Sequence, residues 1–216
     1  MVRVKKSELR RAVPDLLDDP AELDPGEIVD GEGLEDTRVS EADFSGKTVH
    51  RLVGRRSSIE AVSFAGAHLK SAILRDVRFA RCDLSNTVVT GLEAKRVEFV
   101  DCRLIGMKAV ECRMEDVLLE RCDARYVQFN GGSVRNSEFV DTQLQEADFR
   151  AVNLENSRWI RSNLSRADLS GAKLTGADLR GAEIQGMIVG AADVAGAMVS
   201  ASQAMDLARL LGLVIR

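Results

Sequence analysis

The sequence predicts an all-β solenoid, a chain that turns a corner every five residues and stacks its coils. Three observations carry this. Large apolar residues recur at every fifth position from Leu34 to Val199 without an insertion. Small residues form a second series two places earlier, and all four cysteines fall in it. The other three positions of each five hold nearly all the charge, and glycine recurs two places after the large residue.

Of the 34 positions in the large series, 30 are large and apolar, and they include all seven phenylalanines and the one tryptophan. A helix cannot hold this pattern, because a step of five rotates the face by about 140° each time. A strand cannot either, since an odd step alternates faces. A chain that bends at each fifth residue accommodates both series, with two side chains pointing inward per side. Glycine helps at the bend, where unusual backbone angles and close approach are needed. Successive coils then stack at the sheet spacing of roughly 4.8 Å.

Side-chain volumes support the inward pair independently. Gly54, Ala94 and Ala109 are conspicuously small members of the large series, and their partners two places back are Leu52, Leu92 and Met107. Large and small have exchanged places, which keeps the interior volume roughly constant, as a close-packed core requires. The coil at residues 50–58, with Gly54 and a run of arginines, departs furthest from the pattern and is expected to be the weakest.

Residues 167–186 read ADLSGAKLTGADLRGAEIQG, one complete coil of four inward Ala–Leu/Ile pairs. This A(D/N)LxG-type motif resembles that of the pentapeptide-repeat proteins over about residues 32–201. The resemblance implies a right-handed quadrilateral parallel β-helix, here of about eight coils with a short C-terminal α-helix. The expected organisation is an acidic N-terminal cap or tail (1–31), the β-helix (32–201), and a C-terminal helix and dimerisation segment (202–216).

A solenoid needs capped ends, or it exposes core and unpaired strand edges. Residues 1–31 lack the five-residue beat and hold all three prolines. A short helix over 7–13, ended by Pro14, and a further turn at 15–19 are expected there. Residues 12–37 contain ten acidic residues and no Lys or Arg, which suits a solvated cap or an arm for a basic partner. At the other end, Ser202 is placed to cap a helix over about 203–211, with Gly212 at its C-terminus. Its apolar face is too broad to be buried on one coil. A similar tail, QAxxLxxxLG followed by apolar residues, pairs rods end to end in the quinolone-resistance, gyrase-binding members that this segment resembles. The resemblance therefore implies a homodimer through Ala204, Leu207, Ala208, Leu210, Leu211, Leu213 and Ile215.

Catalytic chemistry is not expected. His50 and His68, the only histidines, are outward by register. Cys82, Cys102 and Cys122 are one coil apart and should stack inward, with Cys112 on the opposite side, as small buried apolar residues. No phosphate loop, nucleophile elbow or metal motif is present, so no catalytic residue, metal or cofactor is assigned. No apolar run approaches the roughly 18 residues of a spanning helix, and the N-terminus has no apolar signal region, so a cytoplasmic protein is expected.

The surface remains. Residues 32–201 carry a net charge of −2, but the sides differ. One side leans acidic, with Asp43, Asp83, Asp123, Glu146 and Glu183 as candidate partner-binding groups. Another carries a basic patch of Arg51, Arg55, Arg56, Arg75, Lys95 and Arg96. Without interleaved aromatics that patch is a weak signal for nucleic acid, and direct nucleic-acid binding is not expected. The resemblance implies a non-enzymatic protein-binding rod, most concretely a DNA mimic that occupies the DNA groove of a type II topoisomerase such as DNA gyrase and protects it from fluoroquinolones. The alternative is a generic interaction scaffold for another partner. Mimicry needs carboxylates along one line facing a groove built for phosphates, and the charge here is weak for that.

Overall fold

The structure, a computed structural model, describes residues 11–24, 33–210 and 212–214. The chain winds into a four-sided parallel β-solenoid. Within the coils each strand pairs in parallel with the one 20 residues later, as in Val39↔Ile59, Ile59↔Phe79 and Phe79↔Phe99. One sheet spans two adjacent sides, and a second of four strands covers a third. The remaining side is held by single bridges that climb through Asp43, Ser63, Asp83, Arg103, Asp123, Gln143, Asn163 and Glu183. Those eight rungs are separated by seven 20-residue turns.

Both inward series are buried along most of the rod; in the last coil Val189, Val194, Ala197 and Val199 are only half-buried and Ala192 is exposed. Phe79, Phe139, Leu144, Leu154 and Trp159 lie in the core, with Ala67, Cys112, Ala167 and Ala177 beside them. Like residues stack rung on rung: Phe79 on Phe99 with centroids 4.9 Å apart, and Phe139 on Trp159 at 3.9 Å. The volume exchange holds, since Leu52, Leu92 and Met107 are buried with their small partners Ala94 and Ala109. At Gly54 an added Cβ would lie 3.1 Å from Val77 Cγ2 and 3.2 Å from Leu74 Cδ2. The irregular coil leaves no gap in the ladder, for Leu52–Glu60 is one of the longest strands.

The corners differ from the glycine-based expectation. Among the described residues, twenty other than glycine take positive φ at corner positions, among them Arg56 (46°), Asp76 (57°), Arg96 (52°) and Tyr126 (60°). The left-handed conformation costs about 1–2 kcal/mol for a residue with a Cβ. Asp and Asn tolerate it best, and eight of the twenty are Asp or Asn. Rung-to-rung hydrogen bonds fix the bend at each level, as from Asp101 N–H to the Glu120 carbonyl at 3.0 Å.

The described part of the N-terminal segment is an extended strap, not a helix. Residues 11–13 and 15–19 have no helical turn, and the rest of the expected 7–13 helix lies outside the described residues. Pro14 and Pro20 suit an extended path, and the rod supplies the missing partners. Arg11 reaches Glu98 at 2.5 Å and Glu138 at 3.8 Å. Ala12 N–H donates to Asp116 and Asp15 N–H to Asp76. The strap ends as the strand Ala21–Glu22, paired beneath Thr37–Ser40. It thereby covers the first strand edge.

At the far end the helix runs Ala201–Leu210. Ser200, rather than Ser202, is its cap: Ser200 Oγ accepts from Gln203 N–H at 3.2 Å, and Gln203 Oε1 accepts from Ser200 N–H at 2.9 Å. This is the reciprocal capping box. Ser200 prevails over Ser202 because Gln203, three residues on, also donates from Nε2 to the carbonyls of Leu179 and Ala182, at 2.7 and 2.8 Å. Those bonds close the last coil. Gly212, at φ 83°, ends the helix as expected, with Leu213 N–H bonded to the Ala208 carbonyl, a Schellman arrangement. Among the described residues no helix is long and apolar enough to cross a membrane.

Candidate protein-interaction surface

Because the coils stack in register, every outward position belongs to a row of residues spaced 20 apart. These rows carry a pattern that counting charges by side does not reveal. At one corner Arg81, Asp101, Arg121, Asp141 and Arg161 alternate in sign up the rod. Arg121 donates to Asp101 at 2.7 and 3.1 Å, and Arg161 to Asp141 at 2.6 Å twice. The neighbouring corner pairs Arg56 with Asp36 at 2.5 Å and Arg96 with Asp76 at 2.5 and 2.6 Å. Glu93–Arg113, Lys95–Glu115 and Glu138–Arg158 continue the theme on the flat sides. Writing the sequence in lines of 20 would have shown these pairs.

The acidic candidates are therefore mostly engaged. Asp43, Asp83, Asp123 and Glu183 do share one row, but Arg103 and neutral residues interrupt it. Arg103 approaches Asp83 at 3.5 Å, Arg125 holds Asp123 at 2.7 Å, and Asn163 donates to Glu183 at 2.5 Å. Asp43 accepts from Ser45 N–H at 2.8 Å. Glu146 stands apart at an exposed corner. Asp123 titrates below the usual carboxylate range, chiefly because Arg125 donates to it.

The basic candidates divide. Arg55, Arg75 and Lys95 are brought together on neighbouring strands in one row. Arg56, Arg96 and Lys95 are each held by a carboxylate. Arg51 lies at the corner before this side and is exposed.

The cysteines do sit inside. Cys82, Cys102 and Cys122 donate to the carbonyls of Ile59, Phe79 and Phe99 one coil below. Thr142 and Ser162, next in the same column, do the same to Leu119 and Phe139. The neighbouring Cys122 thiol, with burial, pushes the Cys102 thiol up to about 12, and burial pushes Cys112 to about 11. Protonated, buried thiols of this kind are inert. All four cysteines are free.

Of the dimer candidates, Leu207 joins the core cluster and seals the rod. Ala204, Leu210 and Leu213 are exposed and Ala208 half-buried; Leu211 and Ile215 lie outside the described residues. Met205 and Val214 extend the exposed apolar end.

A four-sided coil with a five-residue beat and buried Ala–Leu pairs defines a repeat protein, and the family comparison agrees. The profile for a pentapeptide repeat region matches residues 72–149, and that for pentapeptide repeats, in eight copies, matches residues 142–181. Together they span just over half of the chain, which belongs to the pentapeptide-repeat family. No curated protein sequence matches it. Similar solved structures include HetL of the cyanobacterium Nostoc sp. strain PCC 7120, involved in heterocyst differentiation regulation. It shares 17% identity over 77% of this chain and 89% of its own, with a TM-score of 0.34. QnrB1, a plasmid-mediated fluoroquinolone resistance protein, shares 23% identity over 86% of this chain and 91% of its own, with a TM-score of 0.37. A pentapeptide repeat protein of the Arabidopsis thaliana thylakoid lumen shares 15% identity over 66% and 71%, with a TM-score of 0.23. At these identities and TM-scores no role of those proteins is carried over to this chain.

Proposed function

We propose that the protein is a non-enzymatic rod that binds another protein through its outward rows. One observation carries this: a rigid in-register surface whose charges alternate in sign from rung to rung. Such a surface presents fixed, closely spaced charge pairs, which give specificity and register to a complementary protein more than a uniform field does. Arg55 and Arg75, stacked in one row below the Glu115-paired Lys95, form a single-sign feature that fits an acidic element of a partner. A cytoplasmic setting belongs to this proposal and is supported by the four free thiols, since disulfides are rare in reducing compartments.

Mimicry of DNA toward gyrase is the second version, favoured by the exposed apolar end at Leu210 and Leu213, which suits an end-to-end pair of rods. The arginines that engage Asp83 and Asp123 speak against it. Gyrase supercoiling with and without a fluoroquinolone separates the two. Inhibition or protection at micromolar protein supports mimicry; neither effect removes it. The broader proposal is tested by cross-linked capture from cell extract with the parent and with Arg55→Glu, Arg75→Glu and Lys95→Glu combined. A protein retained by the parent and lost by the variant is expected; equal recovery by both would count against this surface.

A further inference from the structure

A cleft of about 350 Å³ lies between the N-terminal strap and the rod. Its floor is three consecutive rungs of one outward row, Arg38, Ser58 and Arg78, in register on neighbouring strands. Stacked strands are about 4.8 Å apart, so the Ser58 side chain leaves the sheet between those of Arg38 and Arg78. Leu16, Leu17 and Pro20 of the strap form the opposite wall. Ser58 Oγ is shielded from solvent and has no hydrogen-bond partner. A buried hydroxyl in that state is costly, and it marks a position built for a polar ligand.

The charges around it are not equally committed. Arg81 is taken by Glu60, and Arg56 by Asp36 at 2.5 Å. Arg78 has Glu98 only at 3.8 Å, because the other oxygen of that carboxylate is held by Arg11 at 2.5 Å. Arg38 makes no ion pair among the described residues. Asp18 and Asp19 of the strap point to solvent and do not line the cleft. One arginine without an ion pair among the described residues, Arg38, and one held only at long range, Arg78, therefore flank one unpartnered hydroxyl, in a space within the range of small-molecule sites, about 300–1,000 Å³.

We propose that this cleft binds a small phosphate ester. The phosphate oxygens accept hydrogen bonds from Arg38, Arg78 and the Ser58 hydroxyl, and the organic part lies under Leu16, Leu17 and Pro20. A phosphate matches the set because it offers several acceptors and the double charge two arginines complete, and guanidinium forks fit it bidentately. The proposal holds whichever protein the rod binds.

The test is calorimetric titration and thermal melting of the full chain with glycerol phosphate and inorganic phosphate, against sodium chloride at equal ionic strength. Saturable binding and a raised Tm are expected, with the ester bound more tightly than the bare ion. Arg38→Gln with Arg78→Gln should weaken binding at least tenfold. Ser58→Ala, which removes one unpartnered hydroxyl and leaves the fold intact, should weaken it several-fold and guards against a variant that fails to fold. A response no larger than that to chloride, or affinity unchanged in either variant, overturns the site. Equal affinity for ester and bare phosphate overturns the role given to the strap.

Discussion

Leu92 lies inside the rod beside Ala94, and Met107 beside Ala109, so single positions carry much of the evidence for the register. Leu92→Ala should open a cavity and cost about 2–5 kcal/mol, measured by urea denaturation followed through the fluorescence of Trp159. A variant as stable as the parent would place Leu92 outside. Two adjacent glycines separate backbone strain from overlap. An added Cβ at Gly131 meets nothing within 4 Å and bears only the strain of φ 67°, whereas at Gly132 it lies 2.6 Å from the Cys112 carbonyl oxygen. Gly132→Ala must displace backbone and should cost about 1–3 kcal/mol, more than Gly131→Ala. The inward placement of the cysteines was legible because a small residue was required at their positions. Their hydrogen bonds to the coil below were not, since any small side chain fits the spacing. These thiols should resist a thiol reagent at pH 8 in the native protein and all four should react once it is unfolded; labelling of the native chain would mean the column opens.

The elements with a sequence period were readable, and the two ends were readable only in part. The strap leaves no local signal, because its anchors are remote: Ala12 and Asp116 are 104 positions apart, Asp15 and Asp76 are 61. The helix was legible, but two serines competed for its cap, and the choice was made by where Gln203 could reach. Gln203→Ala would leave the carbonyls of Leu179 and Ala182 unpaired and should cost about 1–3 kcal/mol, with faster hydrogen exchange in the helix as the local readout. The strap depends on Asp76, whose carboxyl is held below its ordinary range chiefly by Arg96; the other groups facing it are Arg56 and Asp15. A depressed folded pKa means that this contribution is complete above the unfolded value, near pH 4, and is lost as the pH falls through the folded one. Asp76→Asn should therefore expose residues 11–24 to proteolysis at neutral pH, as acid does to the parent. Protection equal to the parent at pH 7 would assign the anchoring to Arg11 instead.

At the scale of the whole molecule, the corner ladders link the rungs, and the same direction recurs in Asp101, Asp141, Asp148 and Asp178, each lowered by a donating arginine. These pairs are exposed and individually weak, so their collective mark should be a urea midpoint steady from pH 7 to about 5 and falling below about 4, less steeply in strong salt. The far end raises the remaining question of assembly. A solenoid whose last coil is sealed by Leu207 and Gln203 has no need of further apolar groups there, yet Leu213 is 62% and Val214 83% exposed, with Met205 and Leu210 nearby. Apolar surface clustered at one end is what a two-fold contact between rods would bury. Leu207 is excluded from a decisive test, since replacing it would unseal the rod. Leu210→Asp with Leu213→Asp leaves that seal and the Gln203 bonds in place. The parent should scatter light with the mass of two chains and the variant with that of one, both with the same helical circular dichroism. A parent with the mass of one chain would leave the apolar end for a different protein.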